Sequence, residues 1–161
     1  AECGVFTGHF SFYINKFFPD RKLFLFDSFE GFGESDIEAE RALNNVSFVE
    51  GQFNVQGLFA GTNERFVMSK MYYPEQCIIK KGFFPQTALG VEEKFVFVML
   101  DMDLYQPMLA GLEFFYERMV QGGVILMHDY YESSVTAALE VVDKLLEDGF
   151  VFVTVEDILF D

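Results

Sequence analysis

The sequence predicts a doubly wound α/β fold, in which helices cover both sides of a mostly parallel sheet. Short apolar runs bounded by Gly, Pro and Asp recur along the chain, and several of the segments between them have the i, i+3, i+4, i+7 spacing of amphipathic helices. Strands that are apolar on both faces are typical of parallel sheets, because helices cover both faces of such sheets. The 161 residues suffice for one domain of this kind.

The N-terminal half of the chain predicts a strand end, one helix and two strands. Ala1–Gly4 has the form of a strand that runs into a glycine turn. His9–Phe18 carries the apolar stripe of a helix packed on a sheet, and Pro19-Asp20 ends that helix. Lys22–Phe26 and Cys77–Lys80 are the predicted strands.

The C-terminal half predicts three more strands and two helices. Gly122-Gly123 closes the first of these helices, and the second begins with Ser133 or Ser134 as its N-cap and stops at Gly149. The predicted strands are Lys94–Leu100, Val124–Met127 and Phe150–Val155, and the predicted helices are Pro107–Val120 and Ser133–Glu147.

The stretch 35–76 differs from the rest, because it carries charges and glycines without clean strand alternation. We expect residues 1–161 to form a single domain, with 35–76 as a lid-like insertion over the sheet. The abrupt start at Ala1 predicts a chain truncated at its N-terminus, within the first strand. At the other end, we expect the final strand to be only forming at Asp161.

Composition excludes several kinds of partner. There are 26 Asp and Glu against 11 Lys and Arg, and a net charge of −15 repels the phosphates of DNA and RNA. The sequence shows neither a charge-free apolar run long enough to span a membrane nor a basic start followed by an apolar run, which is the pattern of a signal peptide. Cys3 and Cys77 are too few for a disulfide framework or a thiolate metal site, so a cytoplasmic location is expected.

Two features near the N-terminus indicate a nucleoside ligand. In the turn Glu2–Gly8, Gly4 permits a tight turn and Gly8 permits a ligand or the next element to approach closely. Asp27, at the end of the following strand, is placed to accept both hydroxyls of a ribose. Both features also have structural interpretations, since glycine is common at such turns and Asp27 would equally cap the turn Ser28–Gly31. No Gly-x-Gly-x-x-Gly is present, which argues against a dinucleotide.

Ionisable side chains also follow two later strands. Asp101 and Asp103 follow one, and His128 and Asp129 follow the other. Carboxylates and an imidazole at neighbouring strand ends suit a hard divalent cation such as Mg²⁺ or Mn²⁺. A structural role for the histidine is the alternative. Ion pairing is not expected, because neither motif contains Lys or Arg.

A fourth candidate feature is Gly82-Phe83-Phe84, directly after the strand Cys77–Lys80. Aromatic faces beside a glycine turn suit an adenine ring. The alternative is that both phenylalanines pack in the core or in a lid, since the chain contains 22 Phe.

Five ordered segments carry further motifs: Glu2–Gly8, Asp20–Phe32, Lys81–Thr87, Leu100–Pro107 and Gly122–Tyr130. Together they resemble the macrocin O-methyltransferase family of S-adenosylmethionine-dependent enzymes, over nearly the whole chain. The resemblance implies a class I methyltransferase fold of Rossmann-like type, a divalent metal, and methyl transfer to a hydroxyl. We therefore expect a metal-dependent O-methyltransferase that acts on a small molecule, a sugar or a glycosylated metabolite.

The resemblance also assigns site residues. It implies that the metal binds the acceptor hydroxyl, lowers its pKa and directs its oxygen at the methyl group. Asp103 is expected to support a ligand rather than to bind the metal. Cofactor binding is expected from Glu2, Gly4 and Gly8 at the methionine end, Asp27 at the ribose, Gly82 and Phe83 at the adenine, and from Ser28 and Asp101. The expected metal ligands are Asp101, His128 and Asp129, and catalysis is assigned to Asp101 and Asp129.

The sequence departs from the family pattern at three points. His128 stands where related metal-dependent enzymes have an acid, which reduces the negative charge on the metal. The histidine base of the family precedes the Gly82 motif, whereas the only histidines here are His9 and His128. Leu104 replaces the lysine of catechol-type relatives. The general base is therefore unassigned.

Two alternative functions stay open at this point. One is a nucleotide-sugar glycosyltransferase that uses Asp101-Met102-Asp103 to hold a metal and a diphosphate. The other is a non-catalytic, cofactor-binding remnant. Exposed Phe side chains in the insertion would be costly in a monomer, so we expect self-association into a homo-oligomer.

Overall fold

The computed structural model of the chain describes residues 1–42 and 61–128, together with residues 142, 146 and 147. Some of the predicted features fall on other residues and so lie outside the described part. These are the site residue Asp129, the strand Phe150–Val155, most of the helix Ser133–Glu147, and the middle of the insertion, 43–60.

The described strands form one sheet in which every pairing is parallel. They are β1 (Glu2–Cys3), β2 (Leu23–Asp27), β3 (Cys77–Lys81), β4 (Phe95–Leu100) and β5 (Met119–Met127). Their order is β3-β2-β1-β4-β5, so the chain starts in the middle of the sheet and winds outward on each side. This confirms the predicted doubly wound sheet, and the order reverses between β1 and β4, where such sheets place a ligand crevice.

Four helices accompany the described strands. They are α1 (His9–Phe17), α2 (Glu34–Ala42), α3 (Glu64–Met68) and α4 (Tyr105–Tyr116), with short 3₁₀ turns at Pro74–Gln76 and Gln86–Ala88. The helix α1 and the strands β2, β3 and β4 agree with the predicted elements to within one residue at each end.

The side chains of β2 alternate between two separate cores, as strand geometry requires. Phe26 packs in one core with Phe115 of α4. Leu25 packs in the other with Ile14 of α1 and Val67 of α3. Because each face of the sheet is covered by different helices, most inner strand positions are apolar, and β2 and β4 read as nearly continuous apolar runs.

The prediction of a helix from Pro107 to Val120, closed by Gly122-Gly123, is wrong at its C-terminal end. The helix α4 stops at Tyr116, and β5 begins at Met119. Pairing with β4 decides this, because the backbone N–H of Phe95 donates to the carbonyl of Arg118 over 2.8 Å. The two glycines instead occupy an irregularity in β5, where the register passes from Phe95↔Met119 to Phe97↔Val124.

The two described helices of the predicted insertion lie on different sides of the sheet. The helix α2 packs against α4, and the buried carboxylate of Glu40 accepts a hydrogen bond from the backbone N–H of Tyr105, the first residue of α4. This bond caps α4, since its N-cap residue Leu104 has no side chain that could do so. By contrast, α3 packs in the core formed with α1. The function of the insertion as a lid stays a prediction.

The aromatic core predicts a large difference between two phenylalanines. Phe115 is fully buried and contacts the rings of Phe26, Phe84 and Phe95, whereas Phe17 is 71% exposed. We expect Phe115→Ala to lower the free energy of unfolding by about 3–5 kcal/mol, because it leaves a cavity. Phe17→Ala is the matched control and should change it by less than about 0.5 kcal/mol. Urea unfolding of both variants measures the difference, and similar losses would contradict this description of the core.

Candidate functional site

The glycine turn after β1 is held against the end of β4. Gly4 has a φ of +83°, and a Cβ at this position would overlap the carbonyl oxygen of Asp101. Only glycine fits, and the reason is the close approach of a neighbouring strand. Gly8 has a φ of +73°, and a Cβ there would lie 2.9 Å from Cγ1 of Val67 in α3. The structure therefore places the packed helix α3 beside Gly8.

Asp27 binds this turn from the end of β2. Its Oδ2 accepts hydrogen bonds from the backbone N–H groups of Val5 and Phe6, over 2.7 and 2.8 Å. Its Oδ1 accepts from the N–H of Phe29 over 2.6 Å, which caps the turn that follows. The structural interpretation of Asp27 is thus correct, but it does not exclude a ligand. A carboxylate offers about four lone-pair sites, and three are used.

Glu2 lies beneath the turn and is 2% exposed. Its carboxylate accepts a hydrogen bond from the Ser11 hydroxyl of α1. The pKa of Glu2 is raised to about 8, mainly because the carboxyl is buried, and the nearby carboxylates of Asp101 and Asp27 contribute to this increase.

A cavity of about 260 Å³ opens at the carboxyl ends of the strands. It contains most of the predicted site residues, but neither Glu2 nor Gly8 lines it. The predicted residues on its wall are Gly4, Asp27, Ser28, Gly82, Phe83, Asp101, Asp103 and His128. The wall also contains residues that the sequence did not single out as ligand contacts, among them Phe6, Phe32, Gly33, Asp36 and Pro107.

The two phenylalanines after β3 have different environments. Phe84 is buried and packs on the rings of Phe26 and Phe115, so its core interpretation is correct. Phe83 is 41% exposed and lines the cavity. Gly82 donates its N–H to the carbonyl of Asp27 over 2.9 Å, which holds this aromatic segment beside the end of β2.

Asp101 and His128 meet at the ends of β4 and β5. Oδ1 of Asp101 lies 3.2 Å from Nδ1 of His128. The backbone N–H of His128 donates to the carbonyl of Leu100 over 2.9 Å. Asp103 lies on the same wall with a left-handed φ of +58°. Within residues 1–42 and 61–128, no three His, Cys, Asp or Glu side chains cluster as a metal site would require. The third predicted ligand, Asp129, lies outside these ranges.

The cavity is strongly acidic. Four carboxylates line it, from Asp27, Asp36, Asp101 and Asp103, and no Lys or Arg is found on its described wall. For Asp36, burial raises the pKa of the carboxyl, and the charge of Glu40 adds to the effect. Such a cavity favours a ligand that carries positive charge or hydrogen-bond donors and disfavours a phosphate.

An all-parallel sheet with its cavity at the switch point defines a Rossmann-like α/β protein. The chain belongs to the macrocin-O-methyltransferase family (TylF), whose model matches residues 1–148.

None of the helices in the described part of the chain is long and apolar enough to cross a membrane.

Two solved structures share the fold at low sequence identity. The first is the O-methyltransferase NovP, with a TM-score of 0.70 and 18% identity over 96% of this chain and 66% of that one. The second is the calicheamicin methyltransferase CalS11, with a TM-score of 0.67 and 19% identity over 90% of this chain and 62% of that one. The chain thus spans about two thirds of the length of these structures. No curated protein sequence matches it.

The buried Glu2 predicts that stability falls as pH rises. Its pKa lies above the ordinary value of 4.5, at about 8, so the folded state holds a proton that the unfolded state releases. The stabilisation is complete below pH 4.5 and is lost as the pH rises from 4.5 to about 8. Within this range the free energy of unfolding falls by up to about 1.4 kcal/mol per pH unit. We expect Glu2→Gln to remove this slope in urea unfolding measured from pH 5 to pH 8.

Glu113→Gln is the control for this experiment, because Glu113 is an exposed carboxylate on α4. This variant should retain the wild-type slope. An unchanged slope in Glu2→Gln would show that Glu2 does not hold the proton.

Proposed function

We propose that the chain binds S-adenosylmethionine and transfers its methyl group to a hydroxyl of a small molecule, which is either a sugar or a glycosylated metabolite. The observation that carries this proposal is the position of Asp27. In a chain of this family, its carboxylate joins the glycine turn to the end of β2 and borders an acidic cavity. That is where a ribose-binding acid of a Rossmann-like fold stands.

The residues of the wall suit the parts of this cofactor. The remaining lone pair of Asp27 would accept a ribose hydroxyl, and Phe83 would pack against the adenine. The acidic wall would stabilise the positive charges of the amino acid end and of the sulfur. When bound, the cofactor supplies an electrophilic methyl group on that charged sulfur. Gly4 lets the turn after β1 approach the carbonyl of Asp101, so this part of the cavity wall is closed.

The finer proposal is a Mg²⁺ or Mn²⁺ ion at Asp101 and His128, with Asp129 as the third ligand. Neighbouring ligands of an octahedral ion, at bond lengths of about 2.1 Å, lie about 3 Å apart. The 3.2 Å between Oδ1 of Asp101 and Nδ1 of His128 fits two such positions. The ion would supply a Lewis acid for the acceptor hydroxyl. Asp101 and Asp129 are the residues to which we assign catalysis.

The glycosyltransferase alternative is weaker on this geometry. A nucleotide sugar brings a diphosphate, and the described wall of the cavity offers four carboxylates and neither Lys nor Arg to receive it. The family match also favours methyl transfer over glycosyl transfer. The non-catalytic remnant differs from an enzyme only in turnover, so ligand binding alone does not separate these two.

Cofactor binding is the direct test of the proposal. We expect S-adenosylhomocysteine to bind in isothermal titration calorimetry and Asp27→Ala to weaken binding by about 10–100-fold, since a hydrogen bond to a charged group contributes about 1.5–3 kcal/mol. Asp20→Ala, which removes an exposed carboxylate just before β2, is the matched control and should bind normally. Binding of a uridine diphosphate sugar, with none of the adenosyl ligand, would overturn the proposal.

Metal binding has a separate test. We expect Mn²⁺ to bind the wild-type chain, as measured by electron paramagnetic resonance, and Asp101→Ala to weaken it at least about tenfold through loss of a charged ligand. Binding of S-adenosylhomocysteine to this variant should weaken less than binding of Mn²⁺, and Asp20→Ala should bind Mn²⁺ normally. No Mn²⁺ binding to the wild-type chain would overturn the metal proposal and leave Asp101 as a carboxylate that orients the His128 imidazole.

A further inference from the structure

One part of the cavity wall lies where α2 begins. The point at which a Cβ of Gly33 would stand is 3.0 Å from Oδ2 of Asp36 and 3.5 Å from Cδ1 of Phe83. Asp36 and Phe83 therefore both lie within 3.5 Å of one point beside Gly33, and all three residues line the cavity. A flat apolar surface and a carboxylate oxygen are thus brought together at one end of the site.

The carboxylate of Asp36 lacks a hydrogen-bond donor within the described ranges. Its own backbone N–H donates to the carbonyl of Gly33 over 3.1 Å, which only sets the first turn of α2. The side chain is half-buried, and the neighbouring titratable group is the carboxylate of Glu40, which itself caps α4. A half-buried acceptor that has no donor in the described part of the chain is suited to receive one from a ligand.

The position of this pair relative to Asp27 indicates which part of a ligand reaches it. Gly82 bonds to the carbonyl of Asp27, and Phe83 is the next residue along the chain. If Asp27 accepts a ribose hydroxyl, the base attached to that ribose extends toward Phe83. The face of the base would stack on the ring of Phe83, and the edge of the base would reach Asp36.

We infer that Asp36 accepts a hydrogen bond from the exocyclic amino group of the adenine and so selects this base over one with a carbonyl at that position. This inference rests on the proposed function, since it needs the adenosyl ligand in the cavity. A carboxylate oxygen only accepts, so a base edge that presents a carbonyl oxygen would leave both groups unpaired and close together. Asp36 is thus a specificity-determining residue contributed by the insertion.

The test compares S-adenosylhomocysteine with its deaminated analogue S-inosylhomocysteine, in which a carbonyl replaces the amino group. In calorimetry, the wild-type chain should bind the adenosyl ligand at least about tenfold more tightly, which corresponds to one hydrogen bond of this kind. Asp36→Ala should reduce this ratio to near one, mainly by weakening the adenosyl ligand.

Asp36→Asn separates recognition from structural damage. Its amide donates as well as accepts, so it should bind the inosyl ligand more tightly than the wild-type chain does. Glu34→Ala, in the same helical turn but outside the cavity wall, is the control and should keep the wild-type ratio.

The outcomes also separate the two proposals. An unchanged ratio in Asp36→Ala, with normal adenosyl binding, would overturn the role of Asp36 and leave the proposed function intact. Failure of the wild-type chain to bind S-adenosylhomocysteine would overturn both.

Discussion

The carboxylate of Asp27 is the contact on which the site depends. It accepts three backbone N–H groups, two from the glycine turn after β1 and one from the turn after β2. These donors belong to two segments that are distant from each other in sequence. A charged acceptor makes stronger hydrogen bonds than a neutral one, so a single side chain orders both loops at the switch point of the sheet.

Two further contacts, one steric and one a hydrogen bond, position the cavity wall. Gly4 admits the backbone of Asp101 where any side chain would collide, and this brings the ends of β1 and β4 together. Glu40, which belongs to the insertion, positions α4, because its carboxylate caps this helix directly after the Asp101–Asp103 loop. The cavity wall is therefore assembled where the five strand ends meet the first turns of α2 and α4, and its acidity follows from the carboxylates that stand there.

Sequence patterns predicted the frame of this fold well where local signals agreed with the tertiary contacts. The stripe of α1 and the apolar runs of β2 to β4 are examples. They failed at Gly122-Gly123, where two glycines suggested a helix end but pairing with Phe95 had already started β5. For the cavity wall, the strand-end rule found Asp27, Asp101 and His128. It missed Asp36, because the start of α2 carries no periodic signal that places it over a strand end.

The sequence by itself determined the fold class through its periodicity, the family through its ordered motifs, and the acidic residues at the strand ends through the chemistry of single side chains. Tertiary structure alone decided what each of those residues contacts. Glu2 and Gly8 belong to the same motif as Gly4, yet Glu2 is buried under the turn and Gly8 faces α3. Spacing along a chain states which residues are neighbours in a turn, whereas the packing of distant elements decides which of them face the cavity.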